Sequence, residues 1–129
     1  MNVSSYSQDY TPPAPVLPVR IAVPDESSGM EEYSALVDTG ADGTFVPTVI
    51  LEELELPISY MTNVHSHLSE ILHRAPVHKI DLILFGTIRL PSIEVIGDDR
   101  GSQIILGRNV LNKLHIHLDG PDQAVGVFE

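Results

Sequence analysis

Hydrophobic and polar residues alternate along most of this chain, which is the period of strands rather than of helices. The alternating runs are separated by segments rich in Gly, Pro, Ser and Asp, the residues that favour turns. The pattern therefore predicts a mostly β fold. The predicted strands are residues 16–23, residues 33–37, residues 78–97 with a turn at Phe85-Gly86, residues 104–106, and two short strands in 115–129 around a turn at Asp119-Gly120-Pro121.

Apolar residues recur at helical spacing in two places, residues 48–56 and residues 108–114. We expect one short helix at each, with Thr48 able to cap the first and Pro57 ending it. Pro91 predicts a break or an edge position in the longest β segment. The residues expected in the core are Tyr33, Phe45, Leu82, Ile83, Leu84, Ile105, Leu106 and Leu111.

The first 15 residues differ in composition from the rest of the chain. Pro12, Pro13 and Pro15 remove backbone donors and disfavour a helix, so residues 1–15 are predicted to form a flexible, extended arm. Residues 16–129 are predicted to form one domain, because 129 residues are too few for two ordinary ones.

Charge and cysteine content exclude several classes of function. The chain has 18 acidic and 7 basic residues, a formal net charge of −11, and no cysteine. Such a charge repels phosphate, so we expect no nucleic-acid partner. The absence of cysteine excludes a disulfide framework, a thiolate zinc site and a cysteine nucleophile. With no signal-like start and no apolar run near the roughly 20 residues that span a bilayer, we expect no membrane partner and a cytoplasmic location.

The segment ALVDTGADGTFVP, residues 35–47, ends an apolar strand on an acid. An acid in that position costs free energy unless it is hydrogen-bonded or has a function. Gly40 permits a tight turn beside Asp38, and Thr39 supplies a hydroxyl. Because Asp-Thr-Gly is also ordinary turn chemistry, the tripeptide alone does not decide between a turn and a site.

A second segment, IILGRNVLNKL, residues 104–114, places a Gly and an Arg at the start of the second predicted helix. Together, the two segments resemble the paired signatures of the retropepsin-like aspartic proteases, which are retroviral-type, single-domain enzymes. The resemblance extends more loosely from about Val16 to Phe128. It implies a β barrel with one Asp-Thr-Gly loop per subunit, and an active site that two subunits share.

By this resemblance, Asp38 is the catalytic acid, and the two Asp38 carboxylates of a homodimer activate a water that attacks a peptide bond. Thr39 is expected to hydrogen-bond to the partner's loop. Gly40 is expected to let the substrate backbone approach closely. The substrate would be a peptide or protein.

The same resemblance implies an ion pair between Asp42 and Arg108 that ties the Asp-Thr-Gly loop to the helix, and we expect two parallel hydrogen bonds to the carboxylate. The alternative is a plain surface acid and a plain base at a helix start. Gly40, Ala41 and Asp42 are expected to contact substrate. Ala41 offers no hydroxyl to stabilise an ionised pair of carboxylates, so we expect a pH optimum that is only mildly acidic.

The flap and the dimer interface that the resemblance implies are harder to locate in this sequence than the two motifs. Retropepsins cover the substrate with a hairpin flap that is commonly Gly-rich, yet no glycine lies between Gly43 and Gly86. We place the flap in residues 61–79. The strand-like C-terminus, residues 124–129, is expected to be an edge that forms the dimer interface.

Two His-x-His pairs could chelate a metal ion, since each puts two imidazoles on one face of a predicted strand. They are His65 with His67, and His115 with His117. With no evident third ligand, we interpret both pairs as solvated faces and predict neither a metal nor a cofactor.

The sequence thus favours a homodimeric aspartic endopeptidase. The alternative is a retropepsin-fold dimer that is catalytically weak or inactive and acts as a binding or adaptor module. A monomeric β barrel that binds a metal or small ligand is a third hypothesis.

Overall fold

The computed structural model describes residues 1–26, 31–65 and 72–128. These residues form ten strands and two short helices, so the predicted mostly β fold is confirmed. In chain order, the elements are β1 (Asn2–Ser5), β2 (Val16–Ala22), β3 (Tyr33–Val37), β4 (Thr44–Pro47), α1 (Thr48–Glu53), β5 (Tyr60–His65), β6 (Leu72–Leu84), β7 (Ile88–Asp98), β8 (Ile104–Leu106), α2 (Arg108–Leu111), β9 (His115–Asp119) and β10 (Ala124–Phe128).

Six strands close into a barrel in the order β2, β3, β8, β4, β7 and β6, and β6 pairs back onto β2. Closure leaves these strands without a free edge along their shared length. Strand β5 is added outside the barrel, antiparallel to the first half of β6. Residues 72–76 pair with β5 and, among the described residues, with no other strand. The β5–β6 hairpin therefore projects from the barrel.

The barrel interior is filled by aliphatic side chains from alternate strand positions, as a strand with one buried face requires. On β6, Ile80, Leu82 and Leu84 are all completely buried. The helices add Leu51 and Val110 to the same cluster. Three residues expected in the core, Tyr33, Phe45 and Ile105, are only half-buried.

The local expectation for Thr48 needs correction, and of the two alternatives for Pro91 one is wrong and one is confirmed. Pro47 occupies the N-cap position of α1, and the Thr48 hydroxyl donates to the Asp98 carbonyl (3.0 Å) instead of capping. Pro91 does not break the strand, but it does lie at an edge position, because in the described structure residues 88–92 have β6 as their one neighbouring strand. It lies within β7 at a bulge, where the register against β6 shifts and Ser92 takes a φ of 52°. Strand β7 thus continues through the proline.

A second sheet contains three strands in the order β1, β10 and β9. Residues 2–5 of the predicted arm are strand β1, which pairs antiparallel with β10. The C-terminal strand β10 is therefore central, because it also pairs with β9. The expectation that it is an edge strand is wrong, since β1 and β9 hold the outer positions.

Within the described ranges, no helix is long and apolar enough to cross a membrane.

Candidate active site

The fold brings the two sequence motifs together at one end of a strand pair. Strand β3 runs parallel to β8, with Val37 beside Leu106. The Asp38 N–H donates to the Leu106 carbonyl (3.1 Å), so Asp38 comes directly after the paired region. The residues after each strand, the Asp38 loop (residues 38–43) and the start of α2, therefore meet at the same edge of the sheet.

The Asp38 loop holds its own carboxylate in place. The Gly40 N–H donates to Asp38 Oδ1 (2.9 Å), and the Ala41 N–H donates to the Asp38 carbonyl (3.2 Å). A Cβ atom at position 40 would lie 3.2 Å from Asp38 Oδ1. Glycine therefore leaves space for the hydrogen bond between the Gly40 N–H and this oxygen. Within the described residues, the second carboxylate oxygen has no hydrogen-bond partner. One oxygen is thus oriented by the loop, and the other is available.

Arg108 ties the loop to helix α2. Its Nη1 donates to the Thr39 carbonyl (2.8 Å), and its Nη2 pairs with Asp42 Oδ1. Its backbone N–H donates to the Ala41 carbonyl (2.9 Å). The predicted Asp42–Arg108 pair is confirmed, but only Nη2 of the guanidinium bonds to the carboxylate, while Nη1 bonds to a backbone carbonyl instead. Because the Asp42 side chain is 93% exposed, the pair adds less than about 1 kcal/mol to stability and matters mainly for position.

A buried polar network beneath the loop was not predicted from the sequence. The Thr44 hydroxyl is fully buried, donates to Asn109 Oδ1 (2.7 Å) and accepts from the Gly107 N–H (3.1 Å). Asn109 Nδ2 in turn donates to the Glu94 carbonyl (2.9 Å). These contacts join β4, α2 and β7 below the Asp38 loop. The sequence signal for this network was Thr44, a polar residue at the start of an apolar strand. A single threonine does not indicate that its partner is Asn109, more than 60 residues away.

Gly107 makes the junction between β8 and α2 possible. A Cβ atom there would lie 2.1 Å from the Gly43 carbonyl oxygen and 3.0 Å from the Ala41 carbonyl oxygen. Real Cβ atoms do not approach an oxygen so closely, so only glycine fits between the loop and the helix.

All six residues that the sequence proposed for the site lie in this junction. Thr39 and Asp42 are exposed, and Asp38 and Ala41 are half-buried. The exposed residues Gly40 and Arg108 complete the set. Their proximity is a finding, whereas their catalytic and substrate-binding roles stay predictions.

The hairpin of β5 and β6 occupies the segment in which the flap was predicted, and residues 66–71 lie outside the described residues. A cavity of about 220 Å³ separates the hairpin from strand β4, which follows the Asp38 loop. Its lining includes Val64 and Arg74 from the hairpin, Phe45 from β4, and Arg100. A larger cavity of about 540 Å³ is lined in part by Tyr33, at the far end of β3 from Asp38. The smaller cavity lies beside the hairpin, and neither cavity is lined by a residue of the Asp38 loop.

The base of the hairpin is tied to the barrel. The Tyr60 hydroxyl donates to Glu94 Oε2 (2.7 Å), and this bond is the main reason that the pKa of Tyr60 is raised. Glu94 also accepts from Asn109 through its backbone carbonyl. The hairpin and the network under the Asp38 loop therefore share one residue of β7.

In the part of the chain that the structure describes, no three His, Asp or Glu side chains are grouped so that they could hold a metal ion. His115 and His117 are exposed on β9. His65 is exposed on β5, and His67 lies outside the described residues.

Comparisons with known proteins agree with this geometry. The family model described as "gag-polyprotein putative aspartyl protease" matches residues 28–113. The crystal structure of a retropepsin-like aspartic protease from Rickettsia conorii is similar at a TM-score of 0.65 and 12% identity, over 98% of this chain and 88% of that one. The retroviral protease-like domain of Ddi1 from Leishmania major gives a TM-score of 0.58 at 16% identity, over 88% of this chain and 87% of that one. Simian foamy virus (mac) protease gives 0.54 at 19% identity, over 76% of this chain and 92% of that one. No curated protein matches by sequence.

A closed barrel with an Asp-Thr-Gly loop at the end of a strand defines the retropepsin-like class of aspartic proteases. The family match spans well over half of the chain and includes both the Asp38 loop and Arg108, so the chain belongs to the gag-polyprotein aspartyl protease family. The resemblance inferred from the two motifs is thereby confirmed. The three solved structures named above are each less than 20% identical to this chain, so they support the fold alone.

Proposed function

We propose that this chain is a homodimeric aspartic endopeptidase, in which two Asp38 carboxylates, one from each copy, activate a water for attack on a peptide bond. The observation that carries the proposal is the geometry of Asp38. Its Oδ1 accepts from the Gly40 N–H within the Asp38 loop, and its other oxygen has no partner in the part of the chain that the structure describes. A carboxylate oriented in this way is prepared to bind a water.

One chain contains one Asp-Thr-Gly sequence, so the proposed site needs a second copy. Two carboxylates about 4 Å apart repel by roughly 4 kcal/mol at an effective dielectric near 20, and therefore share one proton over a wide pH range. Such sharing is the established behaviour of aspartic protease pairs in general. The ionised carboxylate takes a proton from the water as it attacks, and the protonated one gives its proton to the developing oxyanion.

The neighbouring residues have supporting roles in this proposal. Thr39 is exposed, which suits a hydrogen bond to the partner's loop. Gly40 leaves room for the substrate backbone, and Ala41 and Asp42 border the same approach. Because Ala41 has no hydroxyl to stabilise the ionised pair, we expect a pH optimum that is only mildly acidic. A peptide or protein is the proposed substrate, in the cytoplasm, with no nucleic-acid partner.

The proposal is tested by Asp38→Asn. This isosteric change removes the ionisable group but keeps an oxygen that can accept the Gly40 N–H, so fold and dimerisation should be unchanged. We expect cleavage of a peptide library by the wild-type chain between pH 3 and 8, and loss of at least about a thousandfold in the variant. The measurement is library cleavage followed by mass spectrometry, with sedimentation in the same buffer.

Asp9→Asn is the matched control, because Asp9 is an exposed acid in the N-terminal segment. Its activity should equal that of the wild type. Undiminished cleavage by Asp38→Asn would refute the proposal. A proven wild-type dimer that cleaves nothing would instead favour the inactive binding or adaptor module.

A further inference from the structure

Strand β9 has one unpaired edge in the described structure. It is an outer strand of the second sheet and pairs only with β10. A strand edge with unpaired N–H and C=O groups is a ready template for another strand. The other outer strand, β1, contains no histidine, whereas β9 contains two.

His115 and His117 lie on the same face of β9, because alternate residues of a strand face the same side. Both imidazoles are exposed. Their Cβ atoms are about 6.6 Å apart along the strand. Each copy therefore presents two adjacent imidazoles beside an edge that can pair.

The surroundings of the two imidazoles are nearly free of charge. Directly opposite on β10, His115 faces Phe128 and His117 faces Gly126. Across Gly126 lies Val3 of β1, and the Met1 side chain lies close to the same glycine. Among the strand positions of β1, β9 and β10 that share this face, Asp119 carries the one charged side chain.

We propose that the β9 strands of two copies pair edge to edge, antiparallel, and that the four imidazoles so assembled bind one divalent transition-metal ion, with Zn²⁺ as the reference ion. This inference rests on the proposed dimer, and it adds a metal site to it. A pairing centred on Ile116 places His115 of each copy opposite the partner's His117. Cβ atoms of opposed residues in such a pair are about 4.5–5.5 Å apart, so all four side chains can reach a common point above the sheet.

The number of ligands explains why a second copy is required. A structural zinc site takes four nitrogen or sulfur ligands in a tetrahedron, and one copy offers two on this face. This agrees with the absence of any three-ligand group in the described part of a single chain. Two copies supply four imidazoles, the complete set.

The position of β9 also favours a second copy of this chain as the occupant of its edge. Strand β9 begins four residues after α2 ends, and Arg108 of α2 contacts Thr39 and Asp42 in the Asp38 loop. The proposal places the two β9 edges and the two Asp38 loops about one two-fold axis. The same dimer that completes the proposed catalytic pair would complete the metal site.

The inference is tested by sedimentation of the full chain at pH 7.5, first in EDTA and then with a small excess of Zn²⁺. We expect Zn²⁺ to lower the dimer dissociation constant by at least about tenfold, with one ion bound per two chains. All measurements use a His65→Gln background, so that the other His-x-His pair does not bind the ion. In His117→Gln, the effect of Zn²⁺ on dimerisation should disappear, while His73→Gln, at an exposed histidine of β6, should keep the Zn²⁺ effect of the parent.

The outcomes separate this inference from the proposed function. A chain that dimerises and cleaves in EDTA but shows no Zn²⁺ effect overturns the metal site alone. One ion per chain without a change in dimerisation also overturns it, as does a Zn²⁺ effect that survives His117→Gln. Absence of Asp38-dependent cleavage in both conditions refutes the proposed function, whatever Zn²⁺ does to assembly.

Discussion

Two aspartates, Asp38 and Asp81, differ in how completely their carboxylates are hydrogen-bonded. Asp81 is 1% exposed, and its carboxylate accepts from the Ser92 N–H (2.9 Å), the Asp25 N–H (3.1 Å) and Arg89 Nε (2.8 Å). Burial opposes its ionisation, but these donors outweigh the burial and hold its pKa below the ordinary value. Among the described residues, the Asp38 carboxylate accepts one such bond, and its second oxygen has no hydrogen-bond partner.

Asp81→Asn is predicted to lower the free energy of unfolding by about 2 kcal/mol at pH 7, because it removes the charge that these donors stabilise. A depressed pKa contributes stability above the unfolded-state value, near 4 for an aspartate, and that contribution is lost as the pH falls through the folded-state value. The deficit of the variant should therefore shrink between pH 7 and pH 3. Urea unfolding at both pH values measures it.

Asp122→Asn, a change at an exposed turn acid, is the control and should leave stability unaltered at both pH values. An Asp81→Asn deficit that is the same at pH 3 as at pH 7 would show that the charge of Asp81 is not the stabilising feature.

At the scale of elements, the candidate site depends on how closely α2 approaches the Asp38 loop. Helix α2 has only four residues, so its position is set by contacts rather than by its own stability. The Gly107 N–H bonds to Thr44, and the Arg108 N–H bonds to Ala41. The backbone at the helix start therefore supports the loop directly.

Gly107→Ala is predicted to destabilise the protein by about 3 kcal/mol, the upper range for overpacking, because the new methyl group would collide with the Gly43 carbonyl. Gly120→Ala is the matched control, since a Cβ atom at that turn meets nothing within 4 Å. Thermal and urea unfolding compare the two variants. Equal stability of both would mean that the close approach of α2 to the loop is not a constraint.

The sequence predicted those elements whose signal is local. Strands β3 and β8, the β9–β10 hairpin and both helices follow from periodicity and turn residues, and the two motifs identify the residues of the junction. The pairing of β1 with β10 and the central place of β10 were missed, because strand order is not encoded in a local pattern. The Thr44–Asn109 contact was missed for the same reason, as its partners lie 65 residues apart.

At the scale of the whole molecule, one chain supplies half of what the proposed chemistry needs. It has one Asp38 loop, one projecting hairpin and one β9 edge. In the proposed dimer, a second copy related by two-fold symmetry supplies the matching Asp38 loop and the matching β9 edge. The central claim is therefore that the active site is shared, which mixing of subunits can test.

The most direct measurement uses mixed dimers. Wild-type and Asp38→Asn chains are unfolded together in equal amounts, refolded, and assayed at fixed total chain, with dimerisation verified by sedimentation. If the site is shared, random pairing gives about one quarter of the dimers two Asp38 carboxylates, and activity should be about one quarter of the pure wild-type value. Activity of about one half would mean that each chain works by itself, which would contradict a site built from two copies.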